Sequence, residues 1–155
     1  MAAGWKFANA LAITLLLASG NAFAQSSHET IGFVKTVAGS SSIVRSADRT
    51  SAASGQPLYE KDVLETGKDG ALGVTLKDNT LLSLGPNSRL VLESYLLQPE
   101  QGSFSLITKI SKGTVQYVSG LIAKLSPDAV KIKTPLATLG VRGTRLLVKV
   151  AGNDD

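Results

Sequence analysis

The sequence predicts an all-β fold, and two features of the chain carry this prediction. Apolar residues alternate with polar or small ones, most clearly over residues 71–76, which is the period of two that a half-buried strand requires. Turn-forming residues interrupt these runs at short intervals, as in a β-sandwich or barrel built from several short strands. No stretch has a convincing helical period. The evenly spaced units of strand and turn would also suit a short solenoid, although no exact internal repeat is visible.

The first segment, residues 1–24, has the features of a bacterial secretory signal peptide. Lys6 supplies a positive charge, residues 7–18 are almost wholly apolar, and the AFA sequence at the end of the segment has the small-x-small pattern of a cleavage site. The apolar run is short for a membrane span, which needs about 20 such residues. We therefore expect cleavage, a periplasmic protein and no transmembrane segment in the mature chain. The alternatives are an uncleaved anchor, secretion beyond the periplasm, or association with the cell surface.

The remaining chain is long enough for one ordinary domain. Residues 25–30 are polar and include the single histidine, His28, so a flexible N-terminus is expected there. We expect the β domain over residues 31–150 and a disordered tail over residues 151–155. The chain contains no cysteine, so packing alone must hold this domain together.

Several segments are expected to form strands and turns within the domain. The expected strands contain Leu72 to Leu76, Leu82 with Leu84, Val115 with Tyr117, Val130 with Ile132, and Leu146 with Val148 and Val150. The sequences TGKDG, KDNT and GPNS, which begin at positions 66, 77 and 85, contain the residues that favour turns. Residues 97–108 predict a longer loop, and residues 126–128 predict a second break.

Positive charge is concentrated in the last third of the chain. Residues 109–150 carry eight lysines and arginines and a single acid, Asp128, whereas residues 25–108 carry nine acids and seven bases. In an exported protein, a basic surface attracts anionic glycans, lipid head groups or acidic protein faces, and we expect no nucleic-acid partner. The alternative is that these side chains are solvated residues that point out of strands. The candidate basic face consists of Lys109, Lys112, Lys124, Lys131 and Lys133, together with Arg145.

The residues give little support to catalysis, and we predict that the chain is not an enzyme. It has no cysteine, no G-x-S-x-G elbow, and only His28 as a histidine base. Glu60 and Asp62 would share one face of a strand, as a pair of catalytic carboxylates could. We instead interpret Asp62 as a residue that caps or brackets the turn before Thr66.

Metal and cofactor binding are not expected either. Asp69, Asp78 and Asn79 supply oxygen ligands, but their spacing matches neither a 12-residue calcium loop nor a nonapeptide repeat. Turn formation accounts for all three residues.

The sequence TPLATLGVRGTRLLV, residues 134–148, combines two arginines with two glycines. It lacks the spacing, the lysine and the following helix of a phosphate-binding loop. It predicts a strand, a corner and a second strand. Pro135 ends an extended segment, Gly140 and Gly143 permit backbone angles that a side chain would oppose, and the Thr144 hydroxyl can bond nearby backbone.

Arg142 lies between the two glycines and has two interpretations. In the structural one, its guanidinium binds carbonyl groups or a carboxylate, such as that of Asp62 or Asp78, and links two parts of the domain. In the functional one, it projects toward an acidic partner. We favour the structural interpretation, because an arginine fixed between glycines is suited to satisfying turn carbonyls. Arg145 is expected to face solvent. The candidate corner consists of Gly140, Arg142, Gly143, Thr144 and Arg145.

Three segments, taken in order, resemble the FecR domain family. Residues 55–92, GQPLYEKDVLETGKDGALGVTLKDNTLLSLGPNSRLVL, are similar to the family's G-x-x-L-x-x-G-D-x-I-x-T-G run, with Lys61 where glycine is commoner. Residues 110–119, ISKGTVQYVS, are similar to its L-x-K-G-x-V strand. Residues 132–148, IKTPLATLGVRGTRLLV, are similar to its T-P-x-A-x-x-x-V-R-G-T-x-F-x-V signature.

The resemblance implies an all-β, jelly-roll-like sandwich that lies outside the inner membrane. In the regulators that name the family, this domain relays the occupied state of an outer-membrane receptor to a cytoplasmic sigma factor through protein contacts. This sequence shows no cytoplasmic helical segment, no internal transmembrane helix and no receptor-binding C-terminal domain, so we expect a stand-alone module. The expected function is a non-catalytic, periplasmic sensory or protein-interaction module with another envelope protein as its partner. The alternative is a binding module for an anionic envelope glycan or lipid.

Overall fold

The computed structural model describes residues 28–152, and within them β-strands predominate. This confirms the all-β class. A short helix, α1, spans Leu121–Leu125, and 3-10 turns span Pro99–Gln101 and Pro127–Ala129. The strands are β1 Thr30–Ala38, β2 Ser41–Arg45, β3 Asp48–Ser51, β4 Pro57–Tyr59, β5 Val63–Thr66, β6 Ala71–Leu76, β7 Leu81–Leu84, β8 Arg89–Gln98, β9 Ser103–Val118, β10 Val130–Lys133, β11 Thr138–Gly140 and β12 Arg145–Val150.

Three predicted terminal segments lie wholly or partly outside the described residues. The predicted signal peptide, residues 1–24, is one of them, and residues 25–27 and 153–155 lie outside as well. Strand β1 already begins at Thr30, opposite Tyr59 of β4, and the His28 ring lies edge-on to the Tyr59 ring with centroids 6.4 Å apart. Residues 28–152 contain no helix that is long and apolar enough to cross a membrane.

The strands form one curled sheet in which β9 belongs to two half-sheets. Residues 103–112 of β9 pair with β8, and residues 106–109 also pair with β10 in the parallel sense. Residues 113–118 pair with β7 and β12. The first half-sheet therefore contains β3, β2, β5, β8, the first part of β9, β10 and β11, and the second contains β4, β1, β6, β7, the rest of β9 and β12. The jelly-roll arrangement stays a prediction.

Gly113 lies where β9 passes from one half-sheet to the other. Its φ is +91°, a value that L side chains rarely adopt, and a Cβ added there would lie 2.1 Å from the Ser88 hydroxyl oxygen. The Thr114 N–H donates to the same oxygen at 3.0 Å. Glycine is therefore required at this bend, because any side chain would collide with Ser88, which directly precedes β8.

The alternating residues bury a single core between the half-sheets. Leu72, Val74 and Leu76 of β6 are buried while their neighbours are more exposed, which confirms the predicted period of two. The predicted strands around residues 82–84, 115–117, 130–132 and 146–150 are confirmed as well. Ile122 of α1 and Val141 of the corner before β12 are buried in the same cluster, so both connections are fixed by packing.

The predicted loop over residues 97–108 is wrong. Strands β8 and β9 continue through it as a hairpin, with Leu97 opposite Phe104 and Gln98 opposite Ser103. The turn residues are confined to one 3-10 turn, which ends at Gly102 with φ of 64°. The predicted absence of helix also needs a small correction, because α1 forms beside the β6–β7 turn. Asp78 accepts hydrogen bonds there from the N–H groups of Leu121 at 2.7 Å and Ile122 at 3.2 Å.

Candidate functional site: an exposed corner beside an open strand edge

Two buried carboxylates, those of Asp62 and Asp78, are bound within the fold. Asp62 is fully buried and accepts hydrogen bonds from Arg45 Nε and Nη2, both at 2.7 Å, and from the Tyr59 N–H at 2.9 Å. This agrees with our interpretation of Asp62 as a residue that brackets a turn. The Asp78 carboxylate accepts hydrogen bonds from the Thr80 hydroxyl at 2.7 Å, the Thr80 N–H at 3.2 Å and the Ile122 N–H at 3.2 Å.

Both carboxylates change the pKa of a neighbour. The hydrogen bond from Arg45 to Asp62 raises the pKa of the Arg45 guanidinium. Burial, and then the charge of Asp78, raise the pKa of Tyr95, whose hydroxyl accepts the Asp78 N–H at 2.9 Å. These contacts hold turns to strands, and neither carboxylate faces a cleft where a substrate could lie. Over residues 28–152, no group of three or more histidine, aspartate or glutamate side chains is placed to hold a metal ion.

The corner between β11 and β12 projects from the domain. Val141 is buried and anchors it, while the Gly143 and Thr144 carbonyls accept hydrogen bonds from the side chain and the N–H of Ser119. Gly143 has φ of 133°, as the predicted corner requires. A cleft of about 400 Å³ separates the corner from α1, and Lys124 and Arg142 both line it.

Arg142 points outward, so the structural interpretation that we favoured is wrong in its specific contacts. Its side chain is 87% exposed, and its nearest carboxylate is that of Asp128 at 3.8 Å, which is itself 93% exposed. The predicted partners are occupied elsewhere, Asp62 by Arg45 and Asp78 by Thr80 and backbone amides. An exposed pair at this distance contributes little to stability.

Two further details of the predicted corner also differ. Gly140 has no positive φ, and a Cβ added to it would meet nothing within 4 Å, so neither backbone angle nor space requires glycine there. The Thr144 hydroxyl makes no hydrogen bond within the described part of the chain, and its residue is exposed. The corner is therefore shaped by Val141 and Gly143.

Strand β12 follows the corner and has an open edge. It pairs with β9 along its whole length and with no other strand among residues 28–152. Leu146, Val148 and Val150 face the core side, whereas Arg145, Leu147 and Lys149 face outward. The prediction that Arg145 faces solvent is confirmed. Leu147 is 66% exposed, which is unusual for a leucine within a strand.

An apolar cleft of about 750 Å³ lies between β12 and the turn of the β10–β11 hairpin. The hairpin turn is closed by a hydrogen bond from the Thr134 N–H to the Ala137 carbonyl at 2.8 Å, and Leu136 at its tip is 98% exposed. Val148 and Val150 contribute to the opposite wall. A corner arginine, an open strand edge and an apolar cleft thus lie along one side of the domain.

The structure does not bring the candidate basic residues together on one face. Lys109, Lys131 and Lys133 lie on the outer side of the first half-sheet, with Lys109 opposite Lys133 in the β9–β10 pairing. Lys133 also contacts the Glu93 carboxylate at 2.7 Å. Lys124 lies on α1 beside the corner, and Arg145 begins β12.

Lys112 lies instead in a groove at the end of the first half-sheet. Sequence reasoning missed this groove, which also contains Arg49, Glu65 and Arg89. These residues come from four different strands, and only the register of the sheet brings them together.

Comparison with known proteins places the chain in a family. The family model described as FecR protein matches residues 62–155, which is more than half of the chain. The chain belongs to the FecR family. No curated protein and no solved structure matches the chain. The matched part of this FecR protein begins at the buried Asp62 and includes the corner and β12. The family has a signalling-related role and is not a known enzyme family.

Lys61 lies directly before the matched region and is a departure from the FecR pattern. The position at which the family commonly has glycine carries a lysine here, and its φ of 73° lies in the left-handed region. The turn into Asp62 therefore has the backbone conformation that glycine adopts most easily. The lysine accepts this strain while its ammonium donates to the Glu93 carbonyl.

Proposed function

We propose that this FecR protein is a non-catalytic module of the periplasm that acts in cell-envelope signalling by binding another envelope protein. The family membership supports a signalling role, and the N-terminal sequence supports export. The chemistry of the described residues supports binding over catalysis, because the buried carboxylates are engaged in structural contacts.

The open edge of β12 is the observation that carries this proposal. An exposed strand edge presents unpaired N–H and C=O groups that another strand can pair with, and many proteins bind peptides in this way. Leu147 adds exposed apolar surface in the middle of the strand, and the cleft beside Leu136 can accept a further apolar side chain.

Positive charge along β12 favours a partner strand that carries acidic residues. Arg145 and Lys149 lie two positions on either side of Leu147 and share its outward face. Arg142 extends from the adjacent corner, and among the described residues its carboxylate contact is the 3.8 Å one to the exposed Asp128. A complementary strand would therefore carry acidic residues on either side of an apolar one, because opposite charges in cross-strand pairs stabilise and like charges repel.

Crosslinking in intact cells tests this proposal. A photoreactive residue replaces Leu147, and a control protein carries it at Lys68, which is exposed in the β5–β6 turn. We expect a discrete adduct with one envelope protein from position 147 and none from position 68. Arg142→Glu should abolish the adduct, whereas Lys68→Glu should not. Equal labelling from both positions, or an adduct that survives Arg142→Glu, would contradict the proposed surface.

A thermal melt of the same variants separates binding from folding. Arg142→Ala should leave the melting temperature unchanged while it reduces capture of the partner, because its one carboxylate contact within residues 28–152 is long and exposed. A fall of several degrees with no loss of the partner would restore the structural interpretation of this arginine.

The proposed location has its own test. Cleavage after residue 24 predicts a mature chain that begins at Gln25 and is released with the periplasmic fraction. Mass spectrometry of the intact protein from that fraction measures this start directly. A chain that retains residues 1–24 in the membrane fraction would support the anchor instead.

A second candidate function is binding of an anionic glycan or lipid through the outer side of the first half-sheet. Lys109 and Lys131 lie there on neighbouring strands and have no carboxylate within salt-bridge distance among the described residues. Retention on peptidoglycan or on vesicles with anionic lipid should fall steeply with salt. The double variant Lys109→Gln, Lys131→Gln should reduce retention more than Lys35→Gln and Lys68→Gln combined, which removes two exposed lysines elsewhere. Retention that is insensitive to salt would remove this candidate.

A further inference from the structure

A groove at one end of the first half-sheet combines basic side chains with serine hydroxyls. Its volume is about 620 Å³, and its walls come from β2, β3, β5, β8, β9 and the β1–β2 turn. Strand register sets one row of residues directly across the sheet, each opposite the next. This row is Ser51, Ser42, Glu65, Arg89 and Lys112.

Glu65 holds two arginines at fixed positions in this groove. Arg49 Nη1 contacts one of its carboxylate oxygens, and Arg89 Nη1 contacts the other. Arg49 Nη1 also donates to the Ser42 hydroxyl oxygen at 3.1 Å. A single carboxylate thus orients two guanidinium groups toward the same space, as a preorganised site requires.

The groove carries more positive charge than its own acid neutralises. Arg49, Arg89 and Lys112 supply three positive charges and Glu65 supplies one negative charge, so the local formal charge is +2. Lys112 has no carboxylate within salt-bridge distance among residues 28–152. The concave shape concentrates the resulting positive potential.

Most of the hydrogen-bond donors of these cations are unused. Each guanidinium has five N–H donors, and the contacts above involve only the Nη1 atom of each arginine. Within the described chain, the Nε and Nη2 donors of both arginines and the Lys112 ammonium find no acceptor. Ser51, at the end of the row, adds a hydroxyl that makes no hydrogen bond there.

A salt-bridge network with a purely structural role explains this arrangement less well than a site that binds an anion. The Arg49 and Arg89 side chains are 61% and 41% exposed, whereas the Glu65 side chain is 14% exposed, and one cation would already satisfy this carboxylate. Two arginines on a single carboxylate, with an unpaired lysine next to them, leave an excess of charge that is unfavourable unless an anion reduces it.

We propose that this groove binds a phosphate monoester group, or an equivalent oxyanion with two negative charges, carried by a molecule of the cell envelope. Two guanidinium groups, an ammonium and serine hydroxyls match the charge and the several acceptor oxygens of such a group. Except for Lys112, the groove uses residues outside the corner, β12 and the basic face, so it is a site additional to the proposed protein contact.

Titration with inorganic phosphate at constant ionic strength, with chloride as the balancing anion, tests this site. We expect saturable binding by calorimetry, and binding of glucose 6-phosphate but not of glucose. Arg49→Gln, Arg89→Gln and Lys112→Gln should each weaken binding about tenfold, as expected for loss of a charge-assisted contact. Lys35→Gln removes the same charge from a residue outside the groove lining and should change the affinity less than twofold.

The outcomes of this titration are decisive in both directions. No saturable binding to wild-type protein, or the same small effect from groove variants and Lys35→Gln, would overturn the proposal. Because the Glu65 contacts support local packing, the arginine variants could unfold; Lys112→Gln has no such contact and then decides the question alone. Binding to vesicles of phosphatidic acid that Arg49→Gln, Arg89→Gln and Lys112→Gln leave unchanged would also overturn it, because the phosphate group would then bind outside the groove.

Discussion

Removal of Arg45 should destabilise the domain far more than removal of the exposed Arg142. Asp62 is fully buried and accepts three hydrogen bonds, of which Arg45 donates two. Arg45→Met keeps much of the side-chain stem but leaves the carboxylate with only the Tyr59 N–H. Loss of one partner of a buried ion pair costs about 3 to 5 kcal/mol. Because the Arg45 side chain is 40% exposed, water can reach the vacated position, and we expect about 3 kcal/mol.

Urea unfolding at neutral pH measures this difference directly. A loss of about 3 kcal/mol is a large part of the 5 to 15 kcal/mol that holds a typical domain folded. Arg142→Met is the matched control, and we expect a change of about 0.5 kcal/mol or less, because its contact to Asp128 is long and exposed. Asp62→Asn should cost less when Arg45 is already methionine than in the wild type, since the two residues are coupled. If both arginine variants lost the same stability, or if Arg45→Met lost less than about 1 kcal/mol, the assignment of Arg45 as the buried link would be refuted.

Three further predictions follow from the backbone and from one half-buried hydroxyl, that of Tyr95. Lys61→Gly should raise the free energy of unfolding by up to about 1 kcal/mol, because its φ of 73° is strained for a lysine; urea unfolding would show a loss instead if the side-chain contact mattered more. Gly113→Ala should lower the melting temperature markedly, whereas Gly140→Ala should be tolerated, since an added Cβ meets a serine hydroxyl at 2.1 Å in the first case and nothing within 4 Å in the second. Burial raises the pKa of Tyr95 above its usual value, so its stabilising contribution is complete at neutral pH and is lost as the pH rises past about 10. The difference in unfolding free energy between wild type and Tyr95→Phe should therefore narrow between pH 8 and pH 11, and a constant difference would contradict the raised pKa.

The alternation of apolar residues was sufficient to predict most of the strands. A period of two depends only on neighbours in sequence, and β6 and β7 show it in full. The hairpin of β8 and β9 was missed because QPEQGS has the composition of a long loop. In the structure those residues occupy a single turn, and the half-buried strands continue on both sides. Helix α1 was missed because its five residues are too few to show a period, and its first amides bond to Asp78 from a distant turn.

The local sequence did not show that Arg45, and not Arg142, makes the buried structural contact. The glycines around Arg142 suggested a fixed side chain, but only Gly143 has a positive φ, and the corner turns the arginine outward. Arg45 lies two positions after the buried Ile43 and therefore on the same side of β2, which was the available sign that it points inward. The groove with Arg49, Glu65 and Arg89 depends on the register of four strands, which no local pattern specifies.

Because β9 belongs to both half-sheets, the order in which the strands can pair during folding is restricted. The second part of β9 pairs with β12, which is the last strand of the described chain. The first part of β9 pairs with β10, which lies only slightly earlier in the sequence. Nascent chains that end before Arg145 would expose one side of β9, which is a template for unwanted association between chains. Such pairings between distant segments also slow folding. The sheet therefore closes only after residues 145–150 are available, an order of events that is compatible with transport of this part of the chain before it folds.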